Sequence, residues 1–431
     1  MKKALCLAAA LGLSLPSAFA NDKVVAGYFA DWQYQDQRNP YTVQDIPADQ
    51  LTHVIYAFLS MCGPHTAASA AVQQQIATAC EGKKPFSAVI VDQQSALEVD
   101  FGEVDVDVNY QGHFAQFAQL KQSHPELKIL PSFGGWTMSE PFHAMVKDPE
   151  HVKWFAKTAV ELIAKYDFFD GIDLDWEYPG GGGLTTSPWN PETKLSDEDK
   201  LSEKQAFTLL VKELRQNMDA LGSKTGKDYQ LGTAVGVGFK ATSIDWPVVS
   251  KDIDLMFAMT YDYLGGWGTQ TGHLTNLFAT DNGWWGMGTD AFIKQMLDLG
   301  MPADKIVVGA AFYGRGWEGT KNFDGKTLPA EFTSEKGASF GTVEPASFQF
   351  WDLVRNYTAK EGYVEGYDEN AHAPYLWNAE KQVFISYDNE QSIKAKADWV
   401  KQNKHAGLFV WELSGDNNGE LTKTMSEALR K

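Results

Sequence analysis

The chain has 431 residues, of which 44% are hydrophobic, so it can bury a large core. Its formal net charge is −19 at pH 7, and such a negative surface repels nucleic acid and anionic lipid. These numbers argue against a nucleic-acid-binding or membrane-surface protein and favour a neutral or cationic ligand.

The first twenty residues predict a secretory signal peptide. Lys2 and Lys3 form a basic start, residues 5–15 form an apolar run too short to span a membrane, and residues 18–20 form a small-x-small cleavage site. We therefore expect a secreted protein, extracellular or periplasmic, whose mature chain begins near Asn21. An uncleaved anchor is the alternative. After cleavage we expect no membrane attachment and a monomeric chain.

Eight short apolar runs alternate with segments of helical periodicity. The runs are 24–30, 53–58, 128–133, 171–176, 229–235, 255–260, 306–311 and 407–411. Apolar residues recur at helical spacing in 152–166, 202–221, 291–299 and 421–429. This alternation predicts an α/β fold, a (β/α)8 TIM barrel with the helices outside.

Two cysteines follow the second run. Cys62 and Cys80 are 18 residues apart, and in an exported protein we expect them to form a disulfide, with free thiols as the alternative. Two cysteines alone do not suggest a zinc site. The sequence therefore predicts no metal site, and no cofactor motif competes with this interpretation.

The helical pattern lapses in residues 316–384, between the seventh and eighth runs. About 70 residues without a crossover helix at their start indicate an inserted α+β subdomain rather than a loop. The barrel would then comprise residues 21–315 and 385–431. Because the insertion leaves the barrel where strands end, we expect it to wall one side of the cleft.

The fourth run carries an alternating row of acids. Asp173, Asp175 and Glu177 share one face of the strand, and apolar residues share the other. Since like charges so close raise at least one pKa, Glu177 at the rim is the natural general acid. Asp170 has the opposite parity and would brace the start of the strand. A solvated polar face or a calcium loop is the alternative, although calcium ligands are expected on a turn.

These acids, together with two further motifs, resemble glycoside hydrolase family 18, the chitinases. Residues 170–177 match that family's DxxDxDxE signature, residues 132–136 match its SxGG motif, and residues 259–262 match its motif on the sixth strand. The resemblance extends from Tyr28 to Trp411. The 316–384 segment resembles the chitinase insertion domain of deep-groove members.

The resemblance implies hydrolysis of β-1,4 linkages between N-acetylglucosamine units in chitin and chitooligosaccharides. The reaction would be retaining and substrate-assisted, as an exception to the two-carboxylate scheme. Glu177 would protonate the glycosidic oxygen while the substrate's 2-acetamido carbonyl attacks, forming an oxazolinium ion. Asp175 would orient the acetamido N–H, and Asp173 would hold a proton or a hydrogen bond with Asp175.

The resemblance also implies a set of residues around the cleaved sugar. Tyr261 would donate a hydrogen bond to the acetamido oxygen, and Asp262 would contact the sugar or its acetamido group. Trp411 would be a stacking floor at subsite −1. The implied substrate-binding set is Tyr28, Ser132, Trp136, Met259, Trp267, Arg315 and Trp411. Of these, Tyr28 and Ser132 would support the acidic row, Trp136 would line the positive subsites, and Arg315 would reach in from the insertion. Ordinary interior or loop packing is the alternative for most of them.

Two other functions use the same fold. A chitin-binding lectin-like protein would keep the cleft but usually loses the acid, whereas Glu177 is present here. An endo-β-N-acetylglucosaminidase acting on glycans would share the acidic signature but usually lacks the insertion. Both features favour an enzyme acting on a linear polymer.

Overall fold

The computed structural model describes residues 23–102, 104–279, 287–321, 323–325 and 333–430. The predicted signal peptide lies outside these residues. No helix within them is long and apolar enough to cross a membrane. Nor do three or more His, Cys, Asp or Glu side chains in this part of the chain gather in a way that could hold a metal ion.

Two β-sheets organise the chain. In chain order, the strands are β1 (Val24–Ala30), β2 (His53–Met61), β3 (Ala88–Ile90), β4 (Lys128–Gly134), β5 (Gly171–Asp175), β6 (Gln230–Gly236), β7 (Leu255–Met259), β8 (Ile306–Ala311), β9 (Tyr313–Glu318), β10 (Lys336–Gly337), β11 (Ser347–Gln349), β12 (Val364–Asp368), β13 (Ala373–Asn378), β14 (Val383–Ser386) and β15 (Gly407–Trp411). The larger sheet has the order β1-β15-β8-β7-β6-β5-β4-β2-β3, and a β1–β2 pairing closes its first eight strands.

The closed sheet is the barrel that the sequence predicts. All eight strands pair in parallel. The predicted first, seventh and eighth strands have the observed bounds, and the others differ by one to three residues at an end. Strand β3 was not predicted, because it is only three residues long and pairs antiparallel with the end of β2.

Side chains of the barrel strands alternate between two apolar regions. Outward residues such as Ile172 and Leu174 are buried among residues of the surrounding helices, including Phe155 and Phe207. Inward residues form a separate cluster that includes Phe257. Because both faces of each strand are covered, the strands are largely apolar, as parallel sheets require.

Helices surround the barrel. They are α1 (Ala70–Ala79), α2 (Gln93–Leu97), α3 (Gly112–Ser123), α4 (Glu140–Met145), α5 (Pro149–Ala164), α6 (Asp197–Thr225), α7 (Trp246–Val249), α8 (Thr289–Asp298), α9 (Phe350–Asn356), α10 (Glu390–Gln402) and α11 (Glu420–Arg430). Helix α6 begins earlier than the apolar periodicity predicts, since Ser196 caps it by accepting a hydrogen bond from the Asp199 amide. It ends at Gly226, whose φ of 75° is left-handed.

A second, antiparallel sheet lies between β8 and β15 in the chain. Its order is β10-β9-β14-β13-β12, with β11 also paired to β9. Trp317, Tyr375 and Trp377 form its buried core, and Leu264 from the loop after β7 packs into the same cluster. With helix α9, this arrangement fits the inserted α+β subdomain predicted from the sequence. Strand β9 begins only one residue after β8, so the insertion rises directly from the barrel rim.

A disulfide joins Cys62, just after β2, to Cys80, at the end of α1. The two cysteines pack with Ala79 and Val89 in a small apolar cluster of their own. The bond thus ties the first helix to the end of a barrel strand.

Replacing both cysteines by serine should lower the free energy of unfolding by about 3 kcal/mol, because an 18-residue loop is no longer closed in the unfolded chain. Denaturant unfolding of the oxidised parent and the double variant measures this difference. The reductant-treated parent serves as the control and should match the variant. Equal unfolding midpoints for all three samples would contradict a stabilising disulfide.

Candidate active site

The acidic row occupies β5 and the two residues beyond it. Asp173 and Asp175 are buried, and Glu177 follows at the rim, partly exposed. As the period-two alternation predicts, the row faces the barrel interior, where hydroxyl groups from β1 and β4 meet it. The site therefore lies at the carboxyl end of the fourth barrel strand, the end at which barrel enzymes place their chemistry.

Asp173 is held by two hydroxyl donors. The Tyr28 Oη and the Ser132 Oγ donate to its Oδ2, at 2.9 and 2.6 Å. Burial raises the pKa of Asp173 to about 6, against the opposing effect of these two hydrogen bonds. In the structure, Tyr28 and Ser132 thus contact the acidic row and do not face the open cleft.

Two oxygens of the row have no protein donor. Asp173 Oδ1 and Asp175 Oδ1 are both buried without a hydrogen-bond partner. A buried acceptor without a donor costs free energy, so such atoms in a native site call for an explanation. A proton shared along the row, or an N–H group of a ligand, would satisfy them. The hydrogen bond predicted between the two aspartates stays a prediction.

Asp175, which is buried, and Glu177, which is partly exposed, form an acidic pair. Burial, then the charge of Glu177, then that of Asp173, raise the pKa of Asp175 well above its usual range. Burial also raises the pKa of Glu177, although a hydrogen bond with Tyr178 and the charge of Lys240 oppose this. The row therefore retains a proton at a pH at which isolated carboxyls have lost theirs.

Lys240 was not predicted as part of the site. It follows β6, and its Nζ lies 4.2 Å from the centre of the Tyr178 ring. Burial lowers the pKa of Lys240, and the negative charges of Glu177 and Asp262 oppose this by raising it. A single lysine in a loop carries no spacing signal, so the sequence alone could not place it.

The backbone of Glu177 and Asp175 is held by the segment that follows β4. Its N–H donates to Ser139 Oγ at 2.8 Å, and the Gly135 N–H donates to the Asp175 carbonyl at 2.7 Å. Gly134 has a φ of 119°, and a Cβ there would collide with the same Asp175 carbonyl. The glycine pair predicted as a motif thus allows β4 to approach the carboxyl end of β5. Ser139 was missed, since nothing in its neighbourhood of sequence marks it.

A second clamp holds the turn that follows Glu177. Glu203, buried on α6, accepts a hydrogen bond from the Gly180 N–H at 2.8 Å. Its other oxygen lies 2.7 Å from His143 Nδ1, and the His143 ring packs edge-on against Trp176. The pair therefore contacts the chain on both sides of Glu177. Its members are 60 residues apart, which is why sequence analysis did not find them.

Tyr261 and Asp262 follow β7 directly. Burial raises the pKa of Tyr261 well above its usual value, so the phenol stays protonated and can donate a hydrogen bond. Asp262 has a φ of 55° and pairs with Arg315, whose Nε and Nη2 lie 2.9 and 3.1 Å from the two carboxylate oxygens. Arg315 comes from β9, and its guanidinium lies 5.5 Å from the Trp267 ring centre. The insertion is therefore tied to the barrel rim at this point.

Aromatic rings cover the mouth of the barrel. Trp411 at the end of β15 stacks on Phe58, with ring centres 5.7 Å apart and planes 17° apart. Phe58 also stacks on the exposed Trp32, and neither ring was predicted as part of the site. Trp136 and Trp267 are exposed, as expected for cleft residues, whereas Met259 is buried in the barrel interior.

Asp170 stands apart from the row, as its parity predicts. Its Oδ2 accepts hydrogen bonds from Lys121 Nζ at 2.7 Å and from the Ile129 N–H at 3.0 Å. These contacts fasten the start of β5 to the start of β4, at the end of the barrel remote from Glu177.

Comparison with known proteins places these features in a family. The sequence model of the glycosyl hydrolases family 18 matches residues 24–416. Chitinase A of Pseudoalteromonas piscicida is 32% identical, over 94% of this chain and 52% of its own length. Chitinase A1 of Niallia circulans is 33% identical, over 95% of this chain and 59% of its own length. The chain thus spans about half the length of these curated relatives.

A solved chitinase structure is also similar to this chain. Chitinase ChiA74 from Bacillus thuringiensis superposes with a TM-score of 0.80 at 29% sequence identity, covering 95% of this chain and 70% of that one.

Replacing Glu203 by alanine should lower the free energy of unfolding by roughly 3 kcal/mol, because the Gly180 N–H and the His143 ring lose their buried acceptor. Denaturant unfolding monitored by tryptophan fluorescence measures the loss. Glu198→Ala, an exposed position in the first turn of the same helix, is the matched control and should change stability by a few tenths of a kcal/mol. If both variants unfold at the same midpoint, Glu203 does not clamp the turn.

Proposed function

The chain belongs to glycosyl hydrolases family 18, and on that premise we propose that it is a chitinase. It hydrolyses β-1,4 linkages between N-acetylglucosamine units in chitin and its oligosaccharides. The observation that carries the proposal is the row of three acids on one inward face, which ends at the catalytic rim of the barrel and leaves Asp175 Oδ1 buried without a donor. The relatives' chitinase names agree with it.

Glu177 is the proton donor. It lies at the rim end of the row, where a glycosidic oxygen in the cleft can reach it. Its raised pKa keeps the carboxyl protonated in the resting enzyme. The clamps at Ser139 and at Gly180 hold the backbone on either side, so the donor meets the leaving oxygen without further reorganisation.

The nucleophile is the carbonyl oxygen of the substrate's own 2-acetamido group. Asp175 is a neighbour of Glu177 along one strand, so it does not face the acid across a sugar ring. Its free Oδ1 can accept the acetamido N–H, and the protonated Tyr261 can donate to the acetamido oxygen. As the C1–O bond breaks, Glu177 gives its proton to the leaving oxygen and the acetamido oxygen bonds to C1.

The resulting oxazolinium ion is then opened by water. Glu177, now ionised, takes a proton from that water, which attacks C1 from the side that the leaving group vacated. Asp175 stabilises the positive ring as a carboxylate while Asp173 holds the proton that the two aspartates share, and this proton returns towards Asp175 when the ring opens. Two displacements at C1 give net retention, and the enzyme returns to its starting protonation state.

The remaining cleft residues bind the sugar. Trp411 offers its face as the floor beneath the cleaved unit, with Phe58 behind it. Asp262 contacts the sugar or its acetamido group and is oriented by Arg315. Trp136 lines the subsites on the leaving-group side, and Trp267 is a further exposed aromatic residue of the cleft.

The enzyme works outside the cytoplasm after its signal peptide is removed. The disulfide between Cys62 and Cys80 supports an oxidising compartment, because cytosolic thiols are kept reduced. Secretion also brings the enzyme to a polymer that is too large to enter a cell.

Glu177→Gln should keep the fold and oligosaccharide binding but lower kcat by at least about a thousandfold, because the amide cannot donate a proton to the leaving oxygen. The measurements are turnover of N-acetylglucosamine oligomers and calorimetric binding of the same oligomers. Glu192→Gln, an exposed position in the same loop, is the matched control and should turn over like the parent.

Binding without turnover in Glu177→Gln also separates an enzyme from a lectin-like protein. If the variant released most of the product that the parent releases, Glu177 would not be the acid. If the parent bound oligomers but cleaved none, the chain would be a binding protein.

A further inference from the structure

Four tryptophans in the described part of the chain are strongly exposed. Trp32, Trp136, Trp189 and Trp267 expose 41, 46, 75 and 66% of their surface. Each lies in a loop that follows the carboxyl end of a barrel strand, namely β1, β4, β5 and β7. Because large exposed apolar groups on one face mark a binding surface, their shared location indicates a function in the cleft.

Trp189 is the most exposed of the four and has no place in the site described above. Its ring packs edge-on against Phe239, with centres 5.8 Å apart, and Phe239 is itself 44% exposed. Trp189 comes from the loop after β5 and Phe239 from the loop after β6. Two loops therefore present one aromatic surface, which we call the Trp189–Phe239 platform.

The platform is connected to the catalytic strand through glycine backbone. Gly182 has a φ of 100°, and a Cβ there would lie 2.8 Å from the Phe239 ring, so the ring rests on the bare backbone. A Cβ at Gly183 would collide with the carbonyl oxygen of Glu177. The platform thus packs on the loop that follows Glu177, next to the backbone of the proton donor.

Barrel topology fixes the direction in which the platform extends the cleft. In the closed order of eight strands, β5 is opposite β15 and β6 is opposite β1. Trp411 ends β15 and Trp32 follows β1, so the platform faces these two rings across the barrel mouth. A polymer that crosses the mouth over Trp411 and passes Glu177 reaches the platform next.

We propose that Trp189 and Phe239 form a further sugar-binding subsite on the leaving-group side, for N-acetylglucosamine units of long substrates. The inference rests on the proposed function. Trp411, Asp175 and Tyr261 hold the cleaved unit, and Glu177 protonates the oxygen beyond it. Units beyond Glu177 therefore belong to the leaving group. Exposed aromatic rings suit an uncharged sugar polymer, because they stack on the apolar face of a pyranose ring and this contact needs no charged group.

The test compares short and long substrates. Trp189→Ala should lower kcat/KM for the N-acetylglucosamine hexamer by about tenfold, the loss of one aromatic stacking contact, and leave the tetramer within twofold of the parent. Phe239→Ala should lower the hexamer value in the same direction, and Trp189→Phe should recover most of the loss. Val364→Ala, a position 60% exposed on β12 of the insertion, is the control and should change neither substrate.

The position of cleavage gives a second readout. With a hexamer labelled at its reducing end, the parent should release labelled fragments of three or more units, and Trp189→Ala should shift cleavage towards shorter labelled fragments. An unchanged hexamer-to-tetramer ratio with an unchanged fragment pattern overturns the platform while leaving the chitinase proposal intact. An equal loss on both substrates also overturns it, because the loop would then act on catalysis in general. If the parent cleaves neither oligomer, the proposed function falls and the platform falls with it.

Discussion

Three carboxyl groups on one inward face of a buried strand are the constraint on which the rest of the site depends. Charges of one sign cannot be buried together without either donors or protons. Tyr28 and Ser132 supply donors to the deepest acid, and their strands β1 and β4 must hold them within hydrogen-bond distance of β5. Asp175 Oδ1 receives no such donor, so the row compensates by retaining a proton. The repulsion between the buried carboxyls thus keeps a proton on the row, and this proton is available for acid catalysis.

The same constraint explains why the surrounding backbone is so closely fixed. A proton donor must meet a leaving oxygen within a few tenths of an ångström, and Glu177 lies beyond the last residue of β5, where the barrel sheet no longer holds it. Ser139 and the Glu203–His143 pair replace the missing sheet contacts on its two sides. The insertion extends this control to the far side of the cleft, where Arg315 holds Asp262 and Leu264 packs into the core of the second sheet.

Local patterns in the sequence encode much of the fold and part of the site. The barrel follows from the alternation of apolar runs with helical segments, the inward acidic row and the separate position of Asp170 follow from the period of two within a strand, and the antiparallel sheet fits the lapse in helical periodicity. Other features join distant segments and leave no local mark: Ser139 and Lys240 in loops, His143 with Glu203, and Trp32 stacked over Phe58. Apolar spacing predicts a shorter helix α6 than the structure has, because the start of the helix is set by the Ser196 cap. The platform at Trp189 was missed for a related reason, since an exposed ring in a glycine-rich loop is recognised only when its position beside the acid is known.

The proposed mechanism requires that the attacking group belongs to the substrate and that the acid and its neighbours stay on one side of the bond. Proton NMR of the first products released from an N-acetylglucosamine oligomer tests this most directly, before mutarotation mixes the anomers. Two successive displacements at C1 predict that the new reducing ends appear as the β-anomer. Initial release of the α-anomer would mean a single displacement by water, and it would contradict acetamido participation at this acidic row.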